Sequence, residues 1–191
     1  MKLVFATNNF NKLSEIRALV PPQIEILSLK DINCNKDLPE TFPTLEENAL
    51  QKASYVFENY GFNCFADDTG LEIDVLGGEP GVYSARYAGE DCNAENNMKK
   101  VLKKLQGKQE RGASFRTVIA LIIEGRKILF EGECRGNITN AQSGVEGFGY
   151  DPIFISNGFD KTFAEMTQHE KGAISHRGKA VKKLIRFLST S

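Results

Sequence analysis

The sequence predicts a mixed α/β or α+β domain. Three observations carry this. Short apolar or alternating runs at 2–7, 24–28 and 62–66 read as strands, and helical patterns separate them. Residues 114–123 (SFRTVIALII) are apolar on both faces and return through 127–135, a hairpin pattern. Four segments keep helical spacing of their apolar residues.

In order, KLVFAT is a buried strand. Asn11 is a candidate cap for a helix over 12–20, with Leu13, Ile16 and Val20 on one face. Pro21 and Pro22 end it. Residues 24–28 alternate as a strand does. Residues 29–43 hold Asp37, Pro39, Glu40 and Pro43 and read as loop. Thr44 opens T-L-E-E, a capping box with Glu47. Leu45, Ala49, Ala53, Val56 and Tyr60 then keep helical spacing to Gly61. Residues 62–66 form a strand running into Asp67-Asp68-Thr69-Gly70, and 71–75 continue it.

A glycine-rich, turn-rich stretch covers 77–92. A helix from Asn93 carries Met98, Val101, Leu102 and Leu105 as one stripe. Glu124–Arg126 turn the 114–123 strand back into 127–135. Residues 136–150 read mostly as loop. Ser175 can cap a last helix with Ala180, Val181, Leu184 and Leu188 inward.

Composition narrows the function. The 191 residues suit one domain, 1–191, and 41% hydrophobic with 26% charged residues is too apolar for a disordered chain. A net charge of −1 gives no global positive field, so a nucleic-acid partner and an anionic membrane are not expected. No run approaches the roughly 20 apolar residues that span a bilayer. The run at Leu3–Ala6 is too short for a secretory signal. Cys34, Cys64, Cys92 and Cys134 are scattered without C-x-x-C, so neither a zinc site nor a redox pair is expected, and reduced cytoplasmic thiols are the simplest reading.

Four segments could carry chemistry. Thr7-Asn8-Asn9-Phe10-Asn11-Lys12 stands where a strand meets a helix. There, free amides, the helix dipole and Lys12 form an anion site, or simply a capped turn. Walker spacing is absent. Asp67-Asp68 follow a strand directly, and alternation points one to each face. Their repulsion calls for a cation, and a hard divalent ion suits oxygen ligands, with Glu40 and Glu47 available to complete the set. The competing reading is a plain turn.

Gly147-Phe148-Gly149-Tyr150-Asp151-Pro152 could lay Phe148 on a base, or plug the core with its aromatics. Glu170 to Arg177 places Lys171, His176 and Arg177 near the start of the last helix. Positive charge is mildly unfavourable there, so an anionic or carbonyl-rich ligand would explain it, as would a solvated basic face. No Ser-His-Asp set, G-x-S-x-G or H-E-x-x-H is present, so metal-assisted attack by water fits better than a side-chain nucleophile.

These segments, in this order, resemble the inosine/xanthosine triphosphate pyrophosphatase family. The likeness covers ATNNFNK, TLEENALQKA, FADDTGLEIDVLGGEPGVYSARYAG, GFGYDPIF, KTFAEM and EKGAISHRGKA, nearly the whole chain. The resemblance implies an α/β fold. Its elongated central mixed sheet is flanked by helices, with two lobes and an active-site cleft between them. It also implies a homodimer that is Mg2+-dependent and splits purine nucleoside triphosphates between the α- and β-phosphates. By motif, Thr7, Asn8, Asn9, Phe10, Asn11 and Lys12 bind the triphosphate. Asp68 is proton acceptor and metal ligand, and Glu40 is the other metal ligand. Thr69 binds substrate. Phe148, Gly149, Tyr150 and Asp151 hold the nucleoside, and Lys171, His176 and Arg177 read the base. Asn11 stands where many members have Gly, and Thr69 where most have Ser.

The expected substrates are ITP, dITP and XTP. Their 6-carbonyl accepts from Lys171, His176 and Arg177, whereas the 6-amino group of adenine would set donor against donor. Two other readings stand beside this one. One is a related pyrophosphatase acting on modified pyrimidine or methylated nucleotides. The other is a nucleotide-binding module without turnover, against which the paired acids argue.

Overall fold

The structure, a computed structural model, describes residues 1–190. Its sheet is built from β1 (Lys2–Phe5), β2 (Glu25–Leu27), β3 (Cys64–Ile73), β4 (Pro80–Gly81), β5 (Gly112–Ile123), β6 (Arg126–Ile138) and β7 (Phe154–Ser156). The order is β2-β1-β3-β5-β6-β7, with β4 paired to β3. β1 runs parallel to β2 and β3, whereas β4 and β7 are antiparallel to β3 and β6, so the sheet is mixed. The helices are α1 (Phe10–Leu19), α2 (Leu45–Tyr60), α3 (Ala94–Lys104), α4 (Gln168–Ile174) and α5 (His176–Thr190). The fold is mixed α/β.

The chain forms two compact units. One holds Met1–Asp68, Thr117–Gly132 and the chain from Arg177; the other holds Thr69–Arg116 and Glu133–His176. Each has its own core. In the first, Leu3, Phe5 and Phe65 of the sheet pack with Leu13 and Ile16 of α1 and with Ala180, Val181 and Leu184 of α5. Phe5 and Phe65, register partners on β1 and β3, stack with centroids 4.7 Å apart. In the second, Leu71, Ile73, Phe115 and Cys134 of the sheet meet Met98 and Val101 of α3 together with Tyr150, Phe154 and Phe163.

Several elements differ from expectation for local reasons. α1 begins at Phe10, and its cap is Asn9 rather than Asn11. Asn9 is extended and its side chain accepts the Lys12 amide at 3.1 Å, so the cap lies three residues before the donor it satisfies. The T-L-E-E box is half realised. Thr44 accepts the Glu47 amide at 3.2 Å, but the Glu47 carboxylate takes the Thr44 hydroxyl at 2.7 Å instead of the cap amide. Asp67 to Gly70 do not turn, because β3 continues through them. Gly70 permits this: a Cβ there would stand 2.7 Å from the Gly81 carbonyl oxygen.

β6 runs on to Ile138 because Gly136 lets β7 approach closely. α4 was not anticipated, and Ser175 is the extended link between α4 and α5. The α4 start is nonetheless written in the sequence. Thr167 and Glu170 form a complete capping box.

Phe65→Ala removes one ring of the stacked pair from a fully buried position. It is expected to cost about 3 to 5 kcal/mol, read as a lower urea midpoint with an unchanged slope.

Candidate active site

The acid pair sits on β3 inside the first unit. Pleating sends the two side chains to different partners, as alternation requires. Asp67 is fully buried. Its Oδ1 accepts from Lys12 Nζ at 2.9 Å and its Oδ2 from Arg177 Nε at 3.2 Å. Arg177 also pairs through Nη1 with Glu15 of α1 at 2.5 Å. Burial alone would push the Asp67 carboxyl up. Lys12 and Arg177, with Lys52 further off, instead hold it well below the usual carboxylate range. Burial lowers the Lys12 ammonium, with Asp67 opposing, while Glu15 and Asp67 outweigh burial to raise Arg177. The positive charge at the start of α5 is thus matched by two carboxylates of the protein itself.

Asp68 looks toward α2. Its Oδ1 accepts from Lys52 Nζ at 3.1 Å, and its Oδ2 lies 3.5 Å from Asn48 Nδ2. Lys52 reaches Glu40 as well, so one ammonium bridges two carboxylates. Burial raises the Asp68 carboxyl, opposed by Lys52 and Lys12 and reinforced by Glu40. Glu40 shifts the other way, because Lys52 outweighs its burial. Lys52 is raised, its three acids overcoming desolvation.

The turn into α1 is fixed beside this cluster. The Asn9 amide donates to Thr7 Oγ1 at 3.1 Å, and Asn8 donates to Asp37 Oδ1 at 3.0 Å. With Lys12 capped by Asn9, the first-turn amides of Phe10 and Asn11 remain available, as at any helix start. Phe10 itself is largely exposed.

The remaining candidates lie in the second unit. Asp151 is buried, and its Oδ2 accepts from the Phe148 amide at 2.7 Å and from Lys171 Nζ at 2.6 Å. That ammonium lies 4.8 Å from the centre of the Phe148 ring. Gly147 makes the turn possible. Its φ is +74°, and a Cβ there would press on the Asp151 carboxylate. Tyr150 plugs the core, its hydroxyl donating to the Ser84 carbonyl at 2.8 Å. His176 stacks on Phe115 with centroids 4.6 Å apart.

The structure therefore gathers Lys12, Asp67, Asp68, Glu40 and Arg177 in the first unit, and Phe148, Asp151 and Lys171 in the second. Glu47 is spent on its cap. Sequence reasoning passed over Lys52, Asn48 and Glu15. Asn48 and Lys52 were detectable as polar residues one turn apart, within the otherwise apolar stripe of α2 that also holds Ala49, Ala53 and Val56.

No group of three or more His, Cys, Asp or Glu side chains that could hold a metal occurs among the described residues. Glu40 and Asp68 nevertheless converge on one cationic centre, the Lys52 ammonium. Two carboxylates are the protein share typical of a Mg2+ site completed by water and phosphate oxygens, so the donor set fits a hard divalent ion. Among the described residues no helix is long and apolar enough to cross a membrane.

Residues 3–187 match the Ham1 family. The chain belongs to the Ham1 family. It is 56% identical over 191 residues to the dITP/XTP pyrophosphatase of Flavobacterium johnsoniae, covering all of both chains. It is 52% identical to that of Porphyromonas gingivalis, over 98% of this chain and 97% of the other. Among solved structures, it resembles a HAM1 protein from Coxiella burnetii with a TM-score of 0.91 and 36% identity over the full length of both chains. The Staphylococcus aureus Ham1 protein gives 0.89 and 38%, over 100% and 99%. The likeness read from the motifs is thereby borne out, as is the α/β fold.

The opposite shifts of the acid pair have opposite consequences for stability. A depressed carboxyl stabilises the fold above its unfolded pKa, and that contribution is lost as pH falls through the folded value. A raised carboxyl costs stability at neutral pH, where the unfolded chain ionises freely. In metal-free protein, Asp67→Asn strands Lys12 and Arg177 and is expected to cost about 3 to 5 kcal/mol. Asp68→Asn leaves Lys52 its Glu40 partner and is expected to be neutral or stabilising. Urea denaturation at neutral pH of the two variants checks the contrast.

Proposed function

We propose that this chain is a nucleoside triphosphate pyrophosphatase. It hydrolyses non-standard purine nucleotides, dITP, ITP and XTP, to the monophosphate and pyrophosphate, and so keeps them out of DNA and RNA. The observation that carries the reading is the convergence of Glu40 and Asp68 beside Lys12 and the start of α1. The names of the full-length relatives support the substrate class.

In this reading Thr7 to Lys12 bind the triphosphate, and Glu40 and Asp68 would hold Mg2+, which when bound neutralises phosphate oxygens. Asp68 takes a proton from the water that attacks the α-phosphorus, as the bond to the bridging oxygen of pyrophosphate breaks. Lys12 and the α1 amides face the charge that builds on the phosphates. Asp67 has both oxygens taken by Lys12 and Arg177, so its part is to aim Lys12.

Thr69 and residues Phe148 to Asp151 hold the nucleoside. Lys171 and His176 offer donors to a 6-carbonyl, and Arg177 completes the family's base-reading positions. Lys171 is held in place by Asp151 and lies against the Phe148 ring, which supports a fixed donor beside an aromatic platform. We read residues 1–191 as one functional domain, because the chain passes repeatedly between the two units. The same family likeness supports a cytoplasmic homodimer.

Purified protein with Mg2+ is expected to release pyrophosphate from dITP and XTP far faster than from dATP. Asp68→Asn should lower kcat by about 10²- to 10⁴-fold, the usual worth of a positioned base, while circular dichroism stays that of the wild type. Comparable rates on dITP and dATP, or on a methylated or pyrimidine nucleotide, would overturn the substrate assignment.

A further inference from the structure

The carboxylate of Glu40 is carried by a segment with no regular structure of its own, since residues 35–43 form neither helix nor strand. Three consecutive residues of that segment are each held by a side chain of α2. Glu40 pairs with Lys52. The amide of Thr41 donates to Gln51 Oε1 at 3.1 Å, and its hydroxyl accepts from Gln51 Nε2 at 2.9 Å. The amide of Phe42 donates to Asn48 Oδ1 at 2.9 Å, and its carbonyl accepts from Asn48 Nδ2 at 3.0 Å. Asn48 is buried and closes both backbone groups of one residue, as a neighbouring strand would.

We propose that Asn48 and Gln51 are positioning residues that latch Glu40–Phe42 to α2, and so set where the Glu40 carboxylate stands relative to Asp68. This rests on the reading of Glu40 and Asp68 as ligands of a divalent cation. The physical reason is entropic. Unfastened, the segment samples many backbone states, and fixing each residue carries an entropic cost. The two amide side chains meet that cost before a cation arrives. Asp68 is carried by a central strand and is fixed by it, so the latch governs the half of the pair that regular structure does not hold.

The test is direct binding of Mn2+ by electron paramagnetic resonance, together with kcat against Mg2+ concentration and the melting temperature. Gln51→Ala is the principal variant, since Gln51 is only half-buried and the variant's melting temperature is expected to stay near that of the wild type. Asn48→Ala is the second. Partners outside the ligand shell change metal affinity by about 10- to 100-fold, and a loss of that size is expected in both. In Gln51→Ala, whose bonds are to Thr41, saturating Mg2+ should restore kcat with KM for dITP unchanged; Asn48 also lies 3.5 Å from Asp68 Oδ2, so Asn48→Ala is read through Mn2+ affinity alone. Glu40→Gln is the control. If it weakens Mn2+ binding while folded Gln51→Ala and Asn48→Ala bind as the wild type does, the latch is wrong and the ligand assignment survives. If Glu40→Gln itself binds Mn2+ normally, the ligand assignment fails and takes the latch with it. A loss of kcat in Gln51→Ala that excess Mg2+ does not restore also overturns the latch.

Discussion

Two adjacent carboxylates buried on one strand constrain everything around them. Removing even one charge from water is costly, and two neighbours repel. The pleat of β3 solves the second problem by sending the side chains to opposite faces. The helices on those faces solve the first by supplying cations: Lys12 and Arg177 to Asp67, Lys52 to Asp68. The two neutralisations are unequal. Asp67 is held by two cations on two oxygens and stays a carboxylate. Asp68 shares its single lysine with Glu40, so its charge remains under-compensated. That asymmetry leaves one acid locked in ion pairs and the other less fully neutralised.

This division carries an energetic tension familiar at active sites. The under-compensated acid costs stability in the free protein, and the well-matched acid beside it returns some. The surrounding cores are built to bear it. Phe5, Phe65, Ile16 and Val181 form one buried cluster of the first unit, which also holds the buried Ala49, Ala53 and Val56 of α2. Lys12 is one of the two cations, with Arg177, that keep Asp67 ionised.

Much of this was legible in the sequence because local rules govern it. Apolar stripes gave α2, α3 and α5, and the T-x-x-E and Asn caps gave helix starts. Alternation gave the opposed directions of Asp67 and Asp68. The cap of α1 was misplaced by two residues, because Asn9 and Asn11 carry the same chemistry and only backbone conformation separates them. The extension of β3 through Asp-Asp-Thr-Gly was half seen. Turn propensity opposed it, and the strand pairing that overrides it comes from β1 and from β5, which begins only at Gly112. Arg177 was read for its charge near a helix start. Its partners, Asp67 and Glu15, stand 110 and 162 residues away, a separation no spacing rule reaches. Lys52 went unnoticed for the same reason, because a lysine on an apolar stripe has meaning only once its acids are placed.

The fastening of Glu40, Thr41 and Phe42 to α2 has a consequence for how such chains can change in length. Lys52 and Glu40 are 12 positions apart, and every bond of the fastening falls inside that interval. Insertions or deletions upstream of Leu38 leave that interval untouched, although Asp37 has its own tie to Asn8. One residue added between Phe42 and Asn48 would shift all three anchors out of register at once. The ruler for this acid is therefore counted backwards from the helix, not forwards from the strand that precedes it.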